Sequence, residues 1–287
     1  MLRLSLFLIL SILCLLQLSA QEKVEINEII VLGNERSKEQ VILRELSFKR
    51  GDSISLNDFE ELKAKSTQTL TNTSLFNFIE ISYSPRAEGR IIVVVKVTER
   101  WYIWPGFVFS LAETNFNSWW QNKDFDRINY GLFVQDMNFR GRREKVTLEF
   151  QNGWKRKIGI NYEIPGINKK RTLGVGIKMF YANNREINYG SANNERLFFK
   201  NEEFIQEEFS FEGKLELRPR LFNRHRLAFG LNTVIIDDII NTYNTSYLPE
   251  NRNRSQYFYL NYGFKREKRD NIGYPLKGYV FDASIDQ

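Results

Sequence analysis

Residues 157–165 read KIGINYEIP. Ile158, Ile160, Tyr162 and Ile164 alternate with Lys157, Gly159, Asn161 and Glu163, which describes a strand with one apolar and one polar face. The fold turns on which face looks inward. In a soluble protein the apolar face would make the core. In a membrane barrel it faces lipid, and the polar face lines the interior.

The same pattern recurs on both sides of this stretch. Val146, Leu148 and Phe150 oppose Lys145, Thr147 and Glu149; Leu173, Val175, Ile177 and Met179 oppose Gly174, Gly176 and Lys178. Phe209, Phe211, Leu215 and Leu217 oppose Ser210, Glu212, Lys214 and Glu216, and Leu227, Phe229 and Leu231 alternate as well. From Trp101 onward no helix is predicted. About nine strands are, each roughly ten residues long, the length that crosses a bilayer at a tilt. They are Trp101–Leu111, Arg127–Asp136, Arg143–Asn152, Arg156–Ile164, Arg171–Tyr181, Ile205–Arg218, Arg224–Asp238, Ser255–Arg266 and Lys277–Asp286.

The connections sort by end. If the residues before Trp101 lie in the periplasm, the inner turns are Met137–Arg142, Pro165–Lys170, Leu221–Asn223 and Glu267–Leu276. The outer loops are then Ala112–Asp126, Gly153–Lys155, Ala182–Phe204 and Asp237–Arg254. Three of the four outer loops are long and three of the four inner turns are short, as in outer-membrane barrels. Gly153–Lys155 is the exception, and the binding loops of a soluble sandwich would imitate the pattern. All five tryptophans, Trp101, Trp104, Trp119, Trp120 and Trp154, fall near proposed strand ends. Aromatic girdles occupy such positions at a lipid boundary.

The N-terminus agrees with export. Residues 1–20 carry Arg3, an apolar run from Leu4 to Leu16, and Ser19-Ala20. That is the form of a secretory signal peptide cut after Ala20. Cys14, the only cysteine, lies inside it, so the mature chain is expected to form no disulfide. Losing Arg3 with the leader lowers the net charge from +6 to +5. That mild, dispersed charge argues against nucleic acid as a partner. Aromatics make up 14% of the chain, with 23 Phe and 13 Tyr, at a mean hydropathy of −0.42. This suits a β-rich protein in water or in a membrane.

Residues 24–99 differ in style. VEINEIIVLGN (24–34) reads as a strand stopped by Gly33-Asn34. SKEQVILRELSF (37–48) reads as a helix with Ser37 as N-cap and Gln40 three residues on. After Gly51-Asp52, residues 55–70 place Leu56, Phe59, Leu62 and Leu70 on a second helix capped by Ser55. FNFIEISYS (76–84) and RIIVVVKVTE (90–99) close the module as strands. The expected order is β-α-α-β-β.

This ordered set resembles a POTRA domain, the periplasmic module of BamA/TamA-like outer-membrane assembly proteins and of two-partner secretion transporters. Gly33, Asn34, Ile42 to Leu46, Gly51-Asp52, Leu75-Phe76 and Val95 to Arg100 carry the likeness. A second stretch, Phe264 to Ile285, resembles the Arg-Asp…Pro…Gly segment of BamA-like barrels through Arg269, Asp270, Pro275 and Gly278. Asn138 to Glu144 (NFRGRRE) is similar to an inner turn of that family.

The resemblance implies a signal peptide (1–20), a POTRA-like α+β domain in the periplasm (22–100) and the N-terminal part of an antiparallel transmembrane β-barrel (101–287) in a bacterial outer membrane. It implies unfolded outer-membrane or secreted polypeptides as partners, with outer-membrane lipid around the barrel and envelope accessory proteins as possible company. A sheet edge would hold a client strand through its backbone, here Asn77, Phe78, Ile79, Glu80, Ile81, Ser82 and Tyr83, at the heart of the strand ending at Ser84. Trp101–Leu111 would form one side of a seam. The chain departs from the family in three ways. Its strand count is odd, it stops within a strand pattern at Gln287, and it lacks both a terminal aromatic residue and the Val-Arg-Gly-aromatic loop motif. These suggest a barrel cut short, and the 287-residue chain is expected not to be a competent outer-membrane protein alone. Heat-modifiable migration as a stable folded barrel would overturn that.

No catalytic, cofactor or metal constellation is predicted. His225 is the only histidine and is expected on the surface at a turn. There is no cysteine nucleophile, no G-x-S-x-G and no H-E-x-x-H. Gly174 and Gly176 lie within a strand, and the pairs Glu202-Glu203 and Glu207-Glu208 point to opposite faces. Asp237 and Asp238 could line a cation-binding outer loop only as a minor alternative. The chain reads as non-enzymatic assembly or translocation machinery. A passive channel, the barrel part of an envelope lipase-like protein and a soluble sandwich stand as alternatives.

Overall fold

The computed structural model describes residues 23–111 and 127–287. The leader, the outer loop at 112–126 with Trp119 and Trp120, and the cut after Ala20 lie outside the described residues. The first module runs β1 (Lys23–Leu32), α1 (Glu39–Leu43), β2 (Ser53–Ser55), α2 (Leu56–Thr71), β3 (Phe76–Arg86) and β4 (Arg90–Glu99). Its sheet order is β2-β1-β4-β3, with β1 parallel to β4 and the other pairs antiparallel. The expected order holds, with the three-residue β2 added between the helices. The sheet buries Ile26, Ile81, Ile91, Val93, Val95 and Val97 against Val41, Ile42, Phe59 and Leu70 of the helices. Each such side chain contributes about 1.5–3 kcal/mol.

The Ser55 hydroxyl accepts the Asp58 N–H at 3.1 Å and starts α2 as the sequence suggests. Ser37 does not cap α1. The helix is a five-residue turn that begins after Lys38 without a side-chain cap. The Ser37 hydroxyl lies instead 3.2 Å from Tyr102 Oη and accepts Asn138 Nδ2 at 2.9 Å, so contact with the second module has displaced a local cap.

The second module is a nine-stranded antiparallel sheet in the order β15-β14-β13-β12-β9-β8-β7-β6-β5. Its strands are β5 (Ile103–Leu111), β6 (Ile128–Phe139), β7 (Glu144–Gly153), β8 (Lys155–Ile164), β9 (Leu173–Asn184), β12 (Gln206–Arg220), β13 (Asn223–Ile236), β14 (Arg254–Glu267) and β15 (Val280–Asp286). Register aligns the alternation across the sheet. One row reads Pro105, Val134, Leu148, Ile160, Met179, Phe211, Leu231 and Phe258. The row beside it, on the other face, reads Trp104, Gln135, Thr147, Asn161, Lys178, Glu212, Gly230 and Tyr259. The polar face is laced by Lys157–Glu149 at 2.9 Å, Lys214–Glu163 at 2.8 Å and Tyr259 Oη donating to Glu212 at 2.8 Å. Among the described residues nothing covers the apolar face: Ile158 is 59% exposed and Phe107 86%. Apolar area on this scale, exposed in one continuous face, marks a surface built for contact with something apolar.

Two outer connections carry structure that the periodicity did not suggest. Residues 185–205 hold a hairpin, β10 (Glu186–Ala192) and β11 (Glu195–Lys200), and residues 237–253 hold a short helix α3 (Ile239–Tyr243) and a 3-10 turn at Pro249–Asn251. The expectation of no helix after Trp101 is therefore corrected. Ile187, Ile205, Ile236 and Ile240 bury together there, with the Tyr243 ring against Tyr189 and Phe199. Asp237 accepts the Ile239 N–H at 2.9 Å, which makes it part of this turn. His225 lies in β13 rather than in a turn, its Nδ1 2.9 Å from Tyr262 Oη.

Candidate functional site

The strand Asn77 to Tyr83 lies within β3, the last strand of the first module's sheet. β3 pairs with β4 on one side only. A register shift between Phe76 and Phe78 resets its faces. Ile81 is then buried under α2, and Tyr83 meets Phe59 edge-on at 5.2 Å. Phe78, Glu80 and Ser82 face solvent, Phe78 at 74% exposure. Pro85, near the C-terminal end of β3, supplies no N–H, and proline within a sheet is confined to such edges. The edge thus offers backbone groups over residues 77–84, on a domain whose core is closed behind them.

The domain carrying this edge is fastened to the inner end of the large sheet at three inner turns and at the end of β12 before the third. At the first turn, the Lys38 N–H donates to Gly141 O at 2.7 Å, and Arg36 pairs with Asp136 at 2.6 Å. Gly141 has φ +69°, and a Cβ there would sit 1.9 Å from Arg36 O, so the approach needs glycine. Glu99 accepts the Arg36 and Ser37 N–H groups at 3.0 and 2.6 Å. Tyr102 donates to Leu75 O at 3.0 Å, and burial raises its hydroxyl pKa to about 12. At the second turn, Arg44 Nε donates to Arg171 O at 3.4 Å; before the third, its Nη2 donates to Arg218 O at 3.1 Å. At the fourth, Gln68 of α2 and Asn72 just after it donate to Arg269 O at 2.8 and 2.9 Å, and Asn72 accepts the Ile272 N–H.

Arg269, Asp270, Pro275 and Gly278 sit in this fourth turn. Arg269 is bidentate on Glu267 at 2.7 and 2.6 Å, and Asp270 accepts the Asn271, Leu276 and Lys277 N–H groups, which hold its carboxyl below the ordinary value. Gly278 has φ +93° and lies over Lys268 O. The segment shapes the turn whose carbonyls the first module grips.

Glu45 lies at the centre of the junction. It is buried, and Arg218 meets it bidentately at 2.5 and 2.7 Å while Arg143 adds a contact at 3.1 Å. Burial alone would raise the Glu45 pKa; the Arg218 and Arg143 guanidiniums more than cancel it and hold the group at about 2. Burial lowers Arg143 to about 10, and burial with the nearby Arg218 charge lowers Arg44. A cavity of about 200 Å³ beside this cluster is lined by Lys145, Lys214, Arg171 and Arg224 among others. Sequence reading did not find Glu45, Arg143 or Arg218. The usable signal was the run of arginines at the inner strand ends, in NFRGRRE and in LRPRLFNRHR.

The tryptophans divide. Trp101 is exposed and suits a boundary. Trp104 falls in register with Gln135 and Thr147 on the polar face, which corrects its place in a lipid-facing girdle: Pro105 and Phe107 take the apolar side. Trp154 donates to Glu186 at 3.2 Å, and Arg127 stacks over its ring at 5.0 Å, so it fastens an outer loop.

A sequence profile of the POTRA family (surface antigen variable number repeat) matches residues 24–100. Those residues are a POTRA domain. Among solved structures, BamA from Haemophilus ducreyi, in a form lacking POTRA domains 1–3, is 16% identical with a TM-score of 0.55, over 92% of this chain and 48% of that one. CdiB from Acinetobacter baumannii (10% identical, 92% and 45% covered, TM-score 0.46) and CdiB from Escherichia coli (12%, 86% and 43%, 0.44) are matched more loosely. The chain spans about half the length of the solved structures it matches. No curated protein matches the sequence. The fold resembles that of BamA: a POTRA domain followed by an antiparallel sheet with the form of a partial barrel.

Proposed function

We propose that this chain belongs to the assembly or translocation machinery of a bacterial outer membrane. In this reading the POTRA domain, in the periplasm, takes unfolded outer-membrane or secreted polypeptides onto β3, and the barrel sheet helps them insert or pass. The work is strand templating with no covalent chemistry. The observation that carries the reading is an open β3 edge on a POTRA domain docked to three inner turns and to the end of β12 before the remaining one. A client strand added there would sit at a fixed distance from the sheet, ready to be handed on. Three or four outward backbone bonds, each worth about 1 kcal/mol net, would hold it reversibly.

Hydrogen exchange tests this on the full chain in detergent, with and without a peptide of alternating apolar and polar residues. Bound peptide should protect alternate amides between Phe78 and Ser84. Phe78→Ala and Glu80→Gln should leave binding within about twofold, because the backbone does the binding. Peptide binding that leaves β3 unprotected, or is abolished by Phe78→Ala, contradicts the proposal. Deleting residues 24–99 is a blunter way to separate assembly from a passive channel, because it also strips Arg143 and Arg218 of Glu45.

A further inference from the structure

The first two inner turns present a second feature on the apolar side of the sheet. Glu144 shares the face of Val146, Leu148 and Phe150, one strand position beyond the last apolar residue of β7. Its carboxylate is fully buried beneath Arg140, 2.8 Å away, and Arg142, 3.3 Å away, and it accepts the Tyr162 hydroxyl at 2.8 Å. The two guanidiniums are thereby held on the outer rim, 52% and 41% exposed. Arg171 Nη2 donates to Arg142 O at 2.8 Å and ties the second turn, which carries the exposed Lys169 and Lys170, to the first. Two guanidiniums thus pair with one carboxylate, and the turn tied to them adds two exposed lysines.

We propose that this rim binds the phosphodiester headgroup of an anionic phospholipid in the leaflet nearest the POTRA domain. The inference rests on the outer-membrane reading above. Three observations favour a lipid over a soluble anion. The patch adjoins the apolar face directly, through Tyr162 and Ile164. Exposed Phe139 and Ile167 flank the charges and offer acyl chains a surface that free phosphate would not use. Arg140 also stacks over the Phe139 ring at 5.5 Å, which sets charge and apolar surface side by side. Arginine and lysine at this depth attract anionic headgroups, and several together act additively. The ligand would fix how deep the sheet sits and hold the rim beside the docked POTRA domain.

The test uses the full chain in vesicles of phosphatidylcholine and phosphatidylglycerol at three to one, with spin-labelled lipids reporting which headgroup lingers at the protein boundary. The unaltered chain should prefer phosphatidylglycerol several-fold over phosphatidylcholine. Lys169→Gln with Lys170→Gln should cut that preference by about fivefold or more at low salt, without touching the Glu144 cluster. Lys63→Gln with Lys65→Gln, the same charge change on α2, should not alter it. Equal preference in the rim variant and the unaltered chain overturns the proposal. So does loss of the preference in millimolar inorganic phosphate at constant ionic strength, which would mark a soluble-anion site. If a label at Ile160 is shielded from lipid in these vesicles while one at Asn161 is exposed to it, the outer-membrane reading itself fails and the headgroup site falls with it.

Discussion

β4 and β8 are both apolar strands, and they meet opposite fates. In β4, IIVVVKV turns its side chains into a closed core, where Val93 and Val95 have no exposure. In β8, KIGINYEI turns Ile158 and Ile160 out of the protein, at 59% and 38% exposure, and keeps Lys157 and Glu163 in ion pairs on the other side. Hydrophobicity alone does not separate them. Their partners do: β4 lies under two helices, whereas β8 lies between strands that share its alternation, with none of the described residues packed over the apolar row. A strand's inside is set by what its neighbours cover.

Substitutions can break this comparison. The largest effect is expected from Val93→Asp, which buries a charge in the POTRA core and should cost about 4 kcal/mol or more, abolishing the domain's cooperative unfolding by circular dichroism. Ile160→Lys should cost about 2–4 kcal/mol in a bilayer, yet only a few tenths in a water-facing setting. If Asn161→Leu proves the more damaging of the β8 pair in vesicles, the faces have been assigned the wrong way round. Glu45→Ala ranks between Val93→Asp and Ile160→Lys: it leaves Arg218 and Arg143 buried without their counter-charge and should cost about 3–5 kcal/mol in urea titrations of the full chain.

The same junction gives a pH dependence. The Glu45 pKa is depressed from 4.5 to about 2, so its contribution is complete above about pH 4.5 and is lost as pH falls through about 2. Acid should therefore loosen the POTRA domain from the inner turns, seen as increased hydrogen exchange at Arg143–Glu144 and Leu221–Phe222. Glu45→Gln should flatten that dependence. The smallest effect is Ser55→Ala, about 1 kcal/mol, confined to the POTRA domain because only the start of α2 depends on it.

The strands, their number in the sheet and the inner turns could be read from the sequence because period-two alternation and turn residues are local signals. Three kinds of feature could not. The Glu45–Arg218 pair joins residues 173 apart, and no periodicity links them. Trp104 sits next to Pro105, and only the register with β6 shows which of the two faces the polar side. The β10–β11 hairpin and α3 fold because two outer loops cover one another with isoleucines, a tertiary reason that no single window contains. Ser37 went astray for a related reason, since a distant asparagine and tyrosine outbid its own helix.

The aligned rows carry one further consequence. In β9 the outward apolar residues run from Leu173 to Tyr181, roughly 27 Å along the strand at about 3.4 Å per residue. At the usual barrel tilt of roughly 40° this spans about 21 Å of height, slightly under the roughly 25 Å apolar band of known barrels. In the outer-membrane reading the sheet is thus a thickness gauge: it would match a thin hydrocarbon layer and leave a plasma-membrane-thick one stretched or pinched around it.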